Sequence, residues 1–238
     1  MVAGIQKMLP ARSFRTSWRV LDVWAKRVPA EQVPPAPAEV AHACAVLLAY
    51  SGLWAEGTAL LLCFTGLLRI SEALRLTRSD VVPVQQDGRL AFVLCLGVTK
   101  RGQEQKVLIE APRVVAWLEH VYSRCFKRGP FLPTTYGRVS RALAVSLVVL
   151  GFEKLSLSTH SFRRGGATRL LQAGWPLSSI MVMGRWMSES SCRVYLRKAE
   201  VALLRCHGRF PAEAWALAAN VAAVGEQVFR LRQLDSSG

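Results

Sequence analysis

The sequence predicts a mainly helical protein of the α+β class, with a small three-stranded antiparallel sheet set into a helical body. Two observations carry that expectation. Apolar residues recur at helical spacing from Glu39 to Leu76 and again from Pro112 onward, and between those stretches residues 80–110 fall into short alternating runs. A third sets the scale: with 238 residues, 51% of them apolar, the chain has ample material for a buried core.

Taken in order, residues 12–27 place Phe14, Trp18 and Leu21 at helical spacing, continued by Val28, with basic residues on the other faces. This reads as one amphipathic helix that stops at Pro29. Val33–Pro37 (VPPAP) holds three prolines in five residues, a semi-rigid linker or an extended lead-in. The domain boundary falls there. Gly52 and Gly66 break the helical stretch that follows. Val81, Val82 and Val84 begin a first strand, Leu90–Val98 a second and Lys106–Ile109 a third, with an Asp87-Gly88 turn between the first two and Lys100-Arg101-Gly102 between the second and third. Helices resume at Pro112, which suits a first helical position, with breaks near Gly129-Pro130 and Gly151. A last helix over 211–234 presents Trp215, Leu217, Ala218, Val221, Val224 and Val228 on one face, a candidate for contact with a second copy or for packing on its own domain. The expected divisions are an arm and linker over 1–37, a main domain over 38–206 and a C-terminal helix over 207–238.

Lys and Arg number 31 against 16 Asp and Glu, a formal charge of +15. Such an excess points to a polyanionic partner, with a solvated basic surface as the plainer reading. The most apolar stretch, 41–64, is interrupted by His42, Ser51, Gly52, Glu56, Gly57 and Thr58, so no run reaches the roughly 18 apolar residues of a membrane span. The six cysteines include no C-x-x-C pair, which argues against a zinc knuckle and against a disulfide framework; no metal and no cofactor is expected. Four of them sit in apolar surroundings and read as thiols of a reducing compartment. The N-terminus lacks an apolar secretion region, but it is basic with no acid before Asp22, so a mitochondrial presequence is an alternative.

The most informative segment is Thr159–Ala167 (THSFRRGGA), in which His160 and Arg163 share one face at a helix start, with Ser158 or Thr159 as N-cap. H-x-x-R alone is an ordinary pair. Four further positions join it: Arg69 in TGLLRISE, Lys100 in the turn between strands, Trp186 in MGRWMS, and Tyr195, nine residues after Trp186. Each in isolation reads as core or surface. Arg69 is the least ordinary, since an arginine among apolar neighbours is expected to be largely buried against an anion, here Glu72.

The order Arg, Lys, His-x-x-Arg, Trp, Tyr resembles the tyrosine recombinase (phage integrase) family, over residues 38–206. Glu72 follows Arg69 at the family's spacing, although TGLLRISE carries one residue more than the family's T-G-L-R-x-x-E. Gly184 stands two before Trp186, where the family more often has Gly directly before a His. The segments TKRGQEQKV and HSFRRGGAT are similar to recombinases of eukaryotic DIRS-type or crypton-type mobile elements.

The resemblance implies DNA strand cleavage and rejoining by a helical catalytic domain with a small sheet. A phosphodiester attacked in line gathers charge on its non-bridging oxygens, and Arg69 and Arg163 can present paired donors to it. Trp186 adds an indole N–H. Tyr195 is the implied nucleophile, His160 its proton acceptor and Lys100 the donor to the departing 5′ oxygen, with Glu72 in structural support. Arg75, Arg101, Arg138, Arg164, Arg185 and Arg193 are expected to contact phosphates. The implied partners are double-stranded DNA and further copies of the chain, with no membrane and no small-molecule cofactor, in the nucleus of a eukaryotic host. About 37 residues precede the catalytic region, at most one helix of the N-terminal domain the family pairs with it. A non-catalytic DNA-binding relic of a mobile element and a type IB topoisomerase are the competing readings.

Overall fold

A computed structural model describes residues 33–98, 104–126, 128–193, 196 and 210–225. The amphipathic helix expected over 12–27 lies outside them. The described residues form one compact unit.

Helix α1 (Ala38–Tyr50) and helix α2 (Trp54–Thr65) are joined by a tight turn in which Gly52 takes φ 81. From Ala55 to Phe64 every residue of α2 is buried, the pattern of a central helix covered on all sides, Glu56 and Thr58 included. Its buried Thr58 is satisfied twice, donating to the Trp54 carbonyl at 2.7 Å and accepting from the Trp117 indole at 2.9 Å. Helix α3 (Ile70–Ala73) is a single turn, followed by a 3-10 turn at Arg78–Asp80.

The sheet has order β1-β2-β3, from β1 (Val81–Gln86), β2 (Arg89–Val98) and β3 (Glu104–Ile109), antiparallel throughout. Asp87 and Gly88 both take positive φ, 49 and 71, the geometry that closes a two-residue hairpin without splaying its strands. Phe92, Leu94, Val107 and Ile109 point into the core. Helix α4 (Pro112–Arg124) starts with proline at its first turn and buries Val114, Val115, Trp117, Leu118 and Val121. Helices α5 (Tyr136–Val149), α6 (Thr159–Gln172), α7 (Leu177–Gly184) and α8 (Glu189–Arg193) follow, and α9 (Ala212–Ala223) lies against α1.

Of the two readings of Val33–Pro37, a semi-rigid linker or an extended lead-in, the structure fits the lead-in: Pro35, Ala36 and Pro37 are buried, and the Ala36 amide donates to the Ser161 carbonyl at 2.8 Å on α6. The face of α9 that meets the body is Ala214, Trp215, Ala218 and Val221, with Trp215 edge-on to Phe152 and Phe210 tilted against the same ring. Leu217 and Val224, expected on that face, are exposed, and the stretch beyond residue 225 lies outside the described residues.

Cys44, Cys63 and Cys192 are buried, Cys95 and Cys125 partly so. Burial pushes the Cys44 and Cys63 thiols up to about 12, so they behave as apolar filler. Among the described residues no helix is long and apolar enough to cross a membrane, and no cluster of His, Cys, Asp and Glu could hold a metal ion.

What brings α6 against the rest is the absence of two side chains. A Cβ on Gly165 would stand 2.1 Å from the Ala36 carbonyl oxygen, and one on Gly166 would stand 1.8 Å from that of Phe64. Both obstacles are backbone and cannot swing aside. Gly166→Ala should therefore cost about 3 kcal/mol or more of stability, whereas Gly137→Ala, with open space around it in α5, should be neutral or stabilising by about 0.5 kcal/mol. Urea unfolding of the two variants measures both.

Candidate active site

A second, smaller apolar cluster of Leu67, Ala167, Ile180, Trp186 and Cys192 forms where the turn after α2 meets α6, α7 and α8. Leu67 is buried in it with φ 48, a left-handed backbone that a branched side chain rarely takes. That turn aims the Leu67 carbonyl at two arginines: Arg163 donates to it through Nη1, and Arg185 through Nη2 at 3.0 Å.

Two residues on, Arg69 starts α3. Its amide donates to Glu72 Oε2 at 2.8 Å and its Nη1 to Glu72 Oε1 at 2.7 Å. The Glu72 carboxylate is buried, and it also accepts from Arg185 Nη2 at 2.7 Å, with Arg163 Nη1 at 3.7 Å. One carboxylate thus faces three guanidiniums, a local surplus of positive charge. Burial alone would push the Glu72 carboxyl up; Arg185, the Arg69 amide and guanidinium, and Arg163 outweigh it and hold the group below its ordinary value.

Arg163 lies beside Trp186, its guanidinium carbon 4.8 Å from the ring centroid, and donates through Nη2 to the Gly184 carbonyl. Gly184 must be glycine, since a Cβ there would sit 1.8 Å from the Trp186 ring. His160 is exposed on the first turn of α6. Partial desolvation of its ring and the charges of Arg163, Arg164 and Arg69 together lower its pKa, so the imidazole is neutral at neutral pH and can accept a proton. A surplus of guanidinium charge beside a neutral imidazole suits a phosphate-like anion and a proton transfer.

The structure therefore brings Arg69, Glu72, Arg163 and Trp186 together, with His160 close enough to feel the arginine charges. Lys100, Arg101 and Tyr195 lie outside the described residues. The expected burial is reversed: Arg69 is 44% exposed, and Arg163 is the interior arginine, at 1%. The reason is that Arg163 has two carbonyl acceptors inside, whereas Arg69 needs only the edge of Glu72.

The expected phosphate contacts divide. Arg75, Arg138 and Arg193 are exposed; Arg75 Nε donates to the Ser71 carbonyl, Arg138 Nε lies 3.0 Å from the buried Glu56, and Arg193 Nε donates to Glu189 at 2.7 Å. Arg164 and Arg185 are not surface contacts: Arg164 is buried and donates to the Val33 carbonyl at 2.8 Å, and Arg185 is turned inward. One sign of Arg185's inward role is its place as the extra residue between Gly184 and Trp186. A cavity of about 1060 Å³ between α1, α4 and α9, lined among others by His42, Arg113 and Arg169, includes none of the site residues.

Residues 36–201 match the profile described as "Phage integrase family". Among solved structures, the chain is similar to the "Crystal structure of XerA recombinase", with a TM-score of 0.51 and 13% sequence identity over 87% of this chain and 80% of that one. No curated protein matches by sequence.

Removing the Glu72 charge leaves three guanidiniums around a neutral amide, so Glu72→Gln should lower stability at pH 7 by about 3–5 kcal/mol. Because the folded carboxyl titrates below its ordinary 4.5, the stabilisation is present above that value and fades as pH falls through the folded value. Wild type and Glu72→Gln unfolding curves should then converge toward acid pH. A gap that stays constant down to pH 3 contradicts the assignment. In an NMR titration, the His160 midpoint should fall below 6.5.

Proposed function

Since the chain belongs to the phage integrase family, we propose that it cleaves and rejoins DNA strands through a 3′-phosphotyrosyl intermediate on Tyr195, as in site-specific recombination or DNA integration. The observation that carries this reading is the meeting of Arg69, Arg163 and Trp186, from three separate stretches of sequence, around one buried carboxylate with positive charge to spare.

In this reading the Tyr195 oxygen attacks the scissile phosphorus and its proton passes to His160, whose lowered pKa keeps it ready to accept. The bond from phosphorus to the 5′ oxygen breaks, and Lys100 protonates that oxygen. Arg69, Arg163 and the Trp186 indole N–H face the charge that builds on the non-bridging oxygens. The phosphotyrosyl bond conserves the energy of the broken one, so a second 5′ hydroxyl can reverse the attack without a nucleotide cofactor. The partner is double-stranded DNA, bound by several copies of the chain. The motifs around Lys100 and His160 further support an origin among DIRS-type or crypton-type elements.

One observation favours a second reading. Arg163 is interior, with Nη1 and Nη2 bonded to the Leu67 and Gly184 carbonyls, which suits a relative that keeps the fold and the charge and binds DNA without cutting it.

A nicked suicide duplex separates the two by trapping the covalent adduct. Wild type should form it, Tyr195→Phe should not, and Arg69→Lys should slow it by about 10²-fold or more at similar DNA affinity, since lysine keeps the charge and loses the planar fork. Intact binding with no wild-type adduct selects the second reading; plasmid relaxation without recombinant product selects a type IB topoisomerase. Binding should also fall steeply with salt. About five to eight phosphate contacts give a slope of log affinity against log salt near −0.9 per contact.

A further inference from the structure

Arg185 stands in an awkward place for a surface arginine. It caps α7 with φ 57 and ψ 39, the left-handed conformation that glycine usually supplies at a helix end. Its side chain is 6% exposed, and the guanidinium reaches three acceptors: the Met183 carbonyl at 3.0 Å, the Leu67 carbonyl at 3.0 Å and Glu72 Oε2 at 2.7 Å. Burial lowers its pKa, and Glu72 opposes that shift.

Among the described residues, the non-glycine positions with positive φ are Leu67, Asp87 and Arg185, and Asp87 is explained by its hairpin turn. The remaining two are bonded to each other through Arg185 Nη2 and the Leu67 carbonyl. They also coincide with the two places where the sequence departs from the family's pattern, the extra residue in TGLLRISE and the extra residue between Gly184 and Trp186. Left-handed backbone at non-glycine residues persists only where the surroundings over-determine it. Here each strained turn supplies what holds the other.

From this we infer that Arg185 is a positioning residue, a latch that ties the turn before Arg69 to the turn before Trp186. It acts through its neighbours. By fixing Glu72 Oε2 it leaves Oε1 to orient the Arg69 guanidinium. By fixing the backbone at 183–186 it sets the Gly184 carbonyl on Arg163 and the Trp186 ring beside it. The three bonds spread over Nη1 and Nη2 of a rigid planar fork, whereas an ammonium would have to direct all three from one nitrogen on a flexible stem. The part of the inference that concerns cleavage rests on the proposed function, whereas the latch itself does not.

The test pairs a measurement of the latch with one of the reaction. In wild type, a guanidinium held on three acceptors should give separately resolved, slowly exchanging Nη protons for Arg185; a single averaged, fast-exchanging signal overturns the proposal without any variant. Hydrogen exchange in Arg185→Lys and Arg185→Gly should rise at least tenfold at 66–70 and 183–187 and stay unchanged in α1 and α2. Unchanged exchange in both segments overturns the latch. Arg185→Lys keeps the charge, so it remains informative if Arg185→Gly fails to fold. In single-turnover cleavage of the suicide duplex, both variants should be at least 30-fold slower with DNA affinity within twofold of wild type, and added methylguanidinium should partly restore Arg185→Gly. A loss of thermal stability with the cleavage rate intact overturns the positioning role. If wild type forms no adduct, the proposed function falls, and the proton and exchange measurements still decide the latch.

Discussion

A single carboxylate organises this site. Glu72 is surrounded by Arg69, Arg163 and Arg185, and each of those arginines reaches it from a different piece of chain. Burying a guanidinium without a partner is costly, and three such groups near one another would also repel. The carboxylate makes their proximity tolerable while leaving the sum positive. That incomplete neutralisation is the useful part. A fully balanced cluster would attract a further anion less strongly, and one without Glu72 would be less stable. The small apolar cluster beneath it supplies the walls that keep water from screening these charges.

The placement of that carboxylate depends on helix α6 lying unusually close to α2 and to the extended segment before α1. Glycines at 165 and 166 permit backbone to approach backbone there, and the capping box of Ser158 and Ser161 fixes where the helix begins. His160 and Arg163 are therefore delivered by a helix whose start and depth are both set by backbone contacts. Side-chain packing alone would leave more play.

Local signals in the sequence were legible, and non-local ones were not. The Asp87-Gly88 hairpin, the three strands and the helix beginning at Pro112 depend on a few neighbouring residues, and they stand where the spacing placed them. The choice of interior arginine depends on acceptors far away in sequence. Arg163 is inside because the Leu67 carbonyl, 96 residues earlier, and the Gly184 carbonyl, 21 residues later, are turned toward it. The extra residues at these two turns were visible as departures from a pattern, but nothing in the string says that they would touch. The inward turns of Arg164 and Arg185 have the same cause: basic residues in a basic chain read as surface until their acceptors are known.

The five residues before α1 carry a mechanical consequence. Their prolines restrict backbone rotation, and they are moored to α6 at both ends, by the Val33 carbonyl on Arg164 and by the Ala36 amide on Ser161. A tug on the polypeptide upstream of residue 33 would not be absorbed by a slack tether. It would be passed through these two hydrogen bonds to Ser161 and Arg164, in the first turns of the helix that carries His160 and Arg163.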